Sequence, residues 1–202
     1  EISCSLVGSE MCIRDRELVI DFYNERRKQL LDVEPNAGHT GLAELEKDFN
    51  VTVVTQNVDN LHERAGSTHV IHLHGELTKV CSSRDPYNPR YVRELKPEEY
   101  EVKMGDKAGD GSQLRPFIVW FGEAVPEIET AIGYVEKADI FVIIGTSMNV
   151  YPAAGLLNYV PRTAEVYLID PKPVDTHSMR QIHVIQKGAS EGVKELKTEI
   201  LH

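Results

Sequence analysis

The chain has 202 residues, 41% hydrophobic and 27% charged, with a formal net charge of −10 at pH 7, which suits one domain with a sizeable core and argues against non-specific nucleic-acid binding. No run approaches the ~20 apolar residues of a membrane helix, and the opening stretch, with Glu1, Glu10 and Arg14, is not built like a secretory leader. Cys4, Cys12 and Cys81 form no CxxC pair, so a reducing, cytoplasmic location with no membrane partner is expected.

Residues 1–16 mix Ser, Gly, Cys and charges without a helical period and are expected to be disordered or foreign to the domain. From Arg16 to Leu31, Leu18, Val19, Phe22, Leu30 and Leu31 recur at helical intervals. A turn at Pro35, Asn36 and Gly38 leads into a short helix ending near Phe49, with Thr40 as its expected N-cap. Then the pattern changes. Val51–Thr55 is a β-branched run, as expected of a strand buried on both faces, and similar runs follow at 70–73, 117–121, 140–144 and 166–169, with a weaker one at 183–186. Helical stretches fit between Phe121 and Ile140 and between Pro152 and Val160. This alternation predicts an α/β, Rossmann-like fold: a mostly parallel sheet with helices on both faces. Residues 77–115, rich in Pro, Gly and charge, are expected to form a small irregular inserted lobe.

Ligands of open parallel sheets sit at the carboxyl ends of strands, and the polar clusters fall there. Gln56-Asn57-Val58-Asp59 follows the first run, His72-Leu73-His74-Gly75 the second, Phe121-Gly122-Glu123 the third and Gly145-Thr146-Ser147 the fourth, with Asp170 and Gly188-Ala189 after the last two. Gly145-Thr146-Ser147 could cradle a phosphate or cap a helix. Asp170 could hold ribose hydroxyls or simply open the Asp-Pro turn. The G-x-G-x-x-G fingerprint is absent, so an ordinary dinucleotide dehydrogenase is not supported. His72 and His74 on one strand face could bind one ion, but no further ligand completes a set, and a His-Gly at a strand end fits a general base better.

Taken in order, Thr55–Ser67 (TQNVDNLHERAGS), Leu73-His74-Gly75, Leu114–Glu123 (LRPFIVWFGE) and Gly145–Ala154 (GTSMNVYPAA) resemble the signatures of the sirtuin family, and the likeness runs from about Leu18 to the C-terminus. The resemblance implies NAD-dependent removal of acyl groups from protein lysine, with nicotinamide and an O-acyl-ADP-ribose as products. It implies that Gln56, Asn57, Val58 and Asp59 hold the nicotinamide and its ribose, that Gly145, Thr146 and Ser147 line the phosphates, and that Ala189 packs near the adenine. Asp170 stands where the family usually carries Asn. His74 would be the catalytic base, a role suited to a side chain whose ordinary pKa is near ~6.5. Phe121, Gly122 and Glu123 would offer an edge to which an acylated lysine peptide adds as a strand.

Tyr23-Asn24-Glu25-Arg26 places Tyr and Arg at i, i+3. The likeness here is to sirtuins that prefer succinyl or malonyl lysine, in which such a pair binds the distal carboxylate. Two departures stand out. Only Cys81 remains of the family's zinc cysteines, with Arg84 where its partner would be, so no zinc is expected. Nothing before Leu18 resembles the family's glycine-rich NAD loop, which implies weak cofactor binding by a chain without it. Two other functions stay open: a protein ADP-ribosyltransferase, which would leave NAD-derived label on protein, and a non-catalytic acyl-lysine or ADP-ribose binding remnant, which would bind without releasing nicotinamide.

Overall fold

The computed structural model describes residues 16–120, 122–145, 153–173 and 181–201. In chain order its elements are α1 (Arg16–Leu31), α2 (Ala37–Leu45), β1 (Val53–Thr55), α3 (Leu61–Ala65), β2 (Val70–His72), β3 (Gly75–Ser82) and β4 (Arg93–Glu94). These are followed by β5 (Leu114–Ile118), α4 (Ile128–Val135), β6 (Ile140–Ile144), α5 (Ala153–Leu156), β7 (Glu165–Ile169), β8 (His183–Ile185) and α6 (Ala189–Ile200). The chain divides into one unit of Glu1–Val33, Thr55–Asn60 and His72–Val125, and another of Glu34–Val54, Leu61–Ile71 and Pro126–His202.

In the first unit, α1 buries Val19, Ile20, Tyr23, Asn24, Arg27 and Leu30. Two of these are polar, and buried polar groups need partners. Asn24 brackets the Val102 backbone, donating Nδ2 to its carbonyl (2.8 Å) and accepting its N–H at Oδ1 (2.9 Å). Arg27 donates to the carbonyls of Leu77 (2.8 Å) and Tyr100 (3.1 Å) and to Asn24 Oδ1 (2.7 Å). Burial lowers its guanidinium pKa to about 10, still high enough to keep the charge at neutral pH. Ile20 joins Val80, Leu95, Val102, Ala108 and Leu114 in the core of this unit.

The inserted lobe is more regular than its composition implies. β3 pairs antiparallel with both β4 and β5, in the order β4-β3-β5. The register slips between Glu76 and Val80, and at that bulge Lys79 pairs with Glu76 at 2.7 Å. The polar residues inside β3 hide it from a periodicity reading. The expected third strand also moves: it spans Leu114–Ile118 rather than 117–121, and runs antiparallel to β3 instead of joining the parallel sheet.

A polar knot ties the two turns of the lobe. Ser82 Oγ donates to Asp110 Oδ2 (2.7 Å) and accepts the N–H groups of Arg84 (3.0 Å) and Asp85 (2.9 Å). Asp110 Oδ1 accepts from the Ser112 backbone (3.0 Å) and hydroxyl (2.7 Å).

In the second unit, β6, β7 and β8 form a parallel sheet in that order, with Ile140 to Ile144 in register with Glu165 to Ile169. Val193 and Leu196 of α6 pack on Tyr167, Ile169 and Ile185; each fully buried aliphatic side chain contributes up to about 1.5–3 kcal/mol. Gly192 permits this contact, because a Cβ there would lie 2.1 Å from Ile169 Cγ2. β1 and β2 form a two-stranded sheet. Its bonds, Val53 N to His69 O and Leu73 N to Thr55 O (both 2.9 Å), climb both segments together, so the pair is parallel.

Helix boundaries differ from expectation in two places. Asn36, not Thr40, caps α2: its side chain accepts from the N–H of Gly38 and His39, and the His39 ring accepts from the Asn36 N–H. Thr40 lies one turn inside, and the helix ends at Leu45 rather than near Phe49. The expected helix at 152–160 becomes α5 followed by a 3₁₀ turn at Leu157–Tyr159.

Candidate functional site

β1 ends at Thr55, whose Oγ1 accepts the Asn57 N–H at 3.0 Å. From there the backbone runs along the segment after β2: Val58 O accepts the Leu77 N–H (2.7 Å), and Asn57 O lies 3.2 Å from His72 Nδ1. These contacts bring Gln56, Asn57 and Val58 beside His74, whose ring hydrogen-bonds the Gln56 backbone. His74 is half-buried, and burial outweighs that bond, lowering the imidazole pKa below 6.5 and favouring the neutral form.

Gly75 explains how the histidine is placed. Its φ is +82°, and a Cβ there would meet Phe117 O at 2.1 Å. No other residue lets the chain turn from His74 into β3 while β5 lies this close, with His74 O accepting the Val119 N–H at 3.0 Å.

Two buried amide atoms in this loop, Gln56 Nε2 and Asn60 Oδ1, have no protein partner. A buried donor and a buried acceptor left unpaired cost stability unless a ligand completes them. A carboxamide or ribose hydroxyl has the chemistry to do so, and in that respect the loop fits a nicotinamide riboside. Asn60 received no role from the sequence; its only signal was its place in the TQNVDN run. Asp59 is half-buried in the same loop.

His72 belongs to β2 and is buried against Asn57 O, whereas His74 lies beyond the strand. The described residues hold no group of three His, Cys, Asp or Glu that could bind a metal ion. Cys81 is fully buried, and burial raises its thiol pKa.

The remaining sequence candidates fall elsewhere. In the second unit, Gly145 follows β6 at φ +61° and donates its N–H to Ile169 O (2.9 Å); Thr146 and Ser147 lie outside the described residues. Asp170 is buried after β7, and its Oδ1 accepts the Lys172 N–H at 2.8 Å, so that oxygen closes the Asp-Pro turn. Ala189 opens α6, where its Cβ faces Gly38 of α2.

On α1, Tyr23 is buried with its ring 5.2 Å from Phe22, while Arg26 is exposed, 5.3 Å over the Phe22 ring and donating to Gln29 at 3.2 Å. Of the expected peptide edge, Phe121 lies outside the described residues. Gly122 and Glu123 belong to a turn rather than a strand, with Glu123 N–H donating to Trp120 O at 2.9 Å. The Glu123 carboxylate is engaged by Arg115, at 2.8 and 3.0 Å. Sequence reasoning gave Arg115 no role, because an ion pair spanning eight residues leaves no periodic trace.

A parallel sheet carrying glycine-led turns, with a half-buried histidine beside unpaired amides, defines an α/β domain of the Rossmann-like class. Comparisons with known proteins narrow it. A family model described as the Sir2 family matches residues 4–152. A Bacteroides thetaiotaomicron protein named NAD-dependent protein deacylase is 84% identical over 184 residues, 91% of this chain and 79% of its own length. A Helicobacter pylori protein of the same name is 47% identical over 188 residues, 93% of this chain and 80% of its own. The crystal structure of a Sir2 homolog–NAD complex aligns with a TM-score of 0.83 at 34% identity, over 97% of this chain and 76% of that one. A Sir2–p53 peptide–NAD+ structure aligns at 0.78 and 28% identity, over 98% and 83%. This chain belongs to the Sir2 family, the one its sequence motifs resemble.

Proposed function

We propose that the chain removes acyl groups from protein lysine using NAD as co-substrate, releasing nicotinamide and an O-acyl-ADP-ribose, with a preference for acyl groups that end in a carboxylate. The observation that carries this reading is the pairing of a half-buried, neutral-leaning His74 with the unpartnered Gln56 amide beside it. The names of the 84% and 47% identical relatives support the same activity. NAD supplies a ribose carbon whose leaving group is nicotinamide. Gln56, Asn57, Val58 and Asp59 hold that end of it, and Gly145, Thr146, Ser147, Asp170 and Ala189 serve the phosphate, ribose and adenine portions. His74 accepts the hydroxyl proton that must leave for acyl transfer, which a neutral imidazole can do near pH 7.

The carboxylate preference rests on Tyr23 and Arg26. Among the described residues Arg26 has no carboxylate partner, only Gln29 and the Phe22 face, so its charge is free for an acidic acyl tail. Nicotinamide release is the measurement: the chain with NAD and matched acetyl-, malonyl- and succinyl-lysine peptides should release it, most efficiently with the last two. Arg26→Met should cut kcat/KM for succinyl peptide by about 10- to 100-fold while sparing acetyl peptide. NAD-derived label appearing on protein instead would indicate ADP-ribosyl transfer.

A further inference from the structure

Leu77 sits where β3 pairs with neither neighbour. Its register with β5 stops at Glu76 and resumes at Val80, and its register with β4 covers Lys79 and Val80. A bulge leaves backbone groups outside the ladder, and buried ones must find other partners. Leu77 is buried, and both of its backbone groups do so. Its N–H donates to Val58 O at 2.7 Å, and its carbonyl accepts from Arg27 Nε at 2.8 Å. The first bond is shorter than those joining Asn57 to Thr55 (3.0 Å) and to His72 (3.2 Å), and it ties the loop after β1 to β3.

Arg27 is a costly side chain to place here. It is 3% exposed, burial alone lowers its pKa, and no carboxylate pairs with it among the described residues. Its buried Nη2 has no partner among them either. An apolar side chain of similar volume would fill the space with less desolvation, but it could not hold a carbonyl. The guanidinium fork does hold one, and it is itself fixed from two other directions. Nη1 donates to Tyr100 O of the lobe at 3.1 Å and to Asn24 Oδ1 on its own helix at 2.7 Å. Leu77 is thereby fastened to α1 on one side while it fastens Val58 on the other.

We propose that Arg27 is a positioning residue for the cofactor-binding loop: through Leu77 it sets where Val58, and with it Gln56 to Asp59, stand beside His74. This inference rests on the deacylase reading for the identity of the ligand that the loop holds.

Amide hydrogen exchange on the whole chain reads the link without any cofactor. In wild type the Leu77 N–H should be protected. Arg27→Lys keeps the charge and a long stem but loses the fork; it should speed Leu77 exchange by about 10-fold while leaving the β7 amides unchanged. In turnover with an acetyl-lysine peptide, whose tail makes no demand on Arg26, the same variant should raise the KM for NAD by about 3- to 10-fold and leave the peptide KM as it was. Ser112→Ala, which loosens the polar knot of the lobe without touching Leu77, should lower the melting temperature and change neither reading. Equal Leu77 exchange in wild type and Arg27→Lys, or NAD and peptide KM values that rise together, overturns the inference. If Arg27→Lys does not fold, Arg27→Gln is measured in its place; failure of both to fold makes Arg27 a residue of stability alone and overturns the inference too. Faster Leu77 exchange in the variant, with no nicotinamide released by wild type, supports the tie through Leu77 and defeats the deacylase reading instead.

Discussion

At the level of single residues, chemistry is set by a few side chains whose surroundings push them off their ordinary behaviour. His74 is the clearest, because burial at the end of β2 disfavours its charged form. In the general-base role proposed for it His74 works unprotonated, so activity should be flat above pH 6.5 and fall as pH drops through a midpoint below that value. Measuring kcat/KM between pH 5 and 8 checks it, and a midpoint at 7 or above would contradict the burial argument. His74→Gln should lower turnover by about 10²- to 10⁴-fold. The residues themselves were legible: the Leu-His-Gly triplet and the TQNVDN run carry their own chemistry. Their geometry was not, because the clash of a Cβ at Gly75 with Phe117 O depends on the antiparallel approach of β5, which no local pattern announces. The contrast between Arg26 and Arg27 was equally hidden. Both sit in one charged run, and only the fold sends Arg27 inward to the Leu77 and Tyr100 carbonyls.

At the level of elements, the lobe combines a small apolar core with a set of hydrogen bonds. Asn24 and Arg27 fasten α1 to it, and the Ser82–Asp110–Ser112 knot joins its two turns. The bonds from Ser82 and Ser112 lower the Asp110 carboxyl pKa from 3.8 to about 2. A depressed folded-state value means that the stabilisation is fully present above pH 3.8 and is lost as pH falls toward 2. Asp110→Asn should therefore lower the melting temperature at pH 7, and its deficit relative to wild type should shrink as the pH falls below 3.8. A chelator should leave the wild-type melting temperature unchanged, whereas a drop would show that the lobe needs metal. Parallel strands β6 and β7 were legible as apolar runs. β3 was not, since Thr78 and Lys79 fall in the stretch read as irregular until the bulge and the pairing with β5 account for them. The α2 cap was missed for a similar reason: Asn36 and His39 form a capping box without the usual Glu or Gln at its third position.

For the whole molecule, the relevant quantity is the formal charge of −10. An acylated lysine has lost its own positive charge, so a peptide is drawn to the chain through the residues flanking the modified position. A negative field should favour Lys or Arg there and disfavour Asp or Glu, acting mainly on the encounter step. The carboxylate at the end of a succinyl group works against the same field, so the proposed succinyl preference requires from Arg26 a local attraction that outweighs a long-range repulsion. These two terms differ in range and can be separated by salt. The screening length falls from roughly 10 Å at 0.1 M to roughly 3 Å at 1 M, which weakens the field of the whole chain well before it weakens a close guanidinium–carboxylate pair. Raising salt from 50 to 500 mM should therefore raise KM several-fold for succinyl peptides with basic flanks and lower it for those with acidic flanks. Screening also relieves the repulsion of the succinyl carboxylate, so the ratio of succinyl to acetyl kcat/KM on any one flank should hold or rise modestly. Competition assays at the two salt concentrations would measure both quantities; a succinyl preference that disappears with salt would contradict a close pairing of the carboxylate with Arg26.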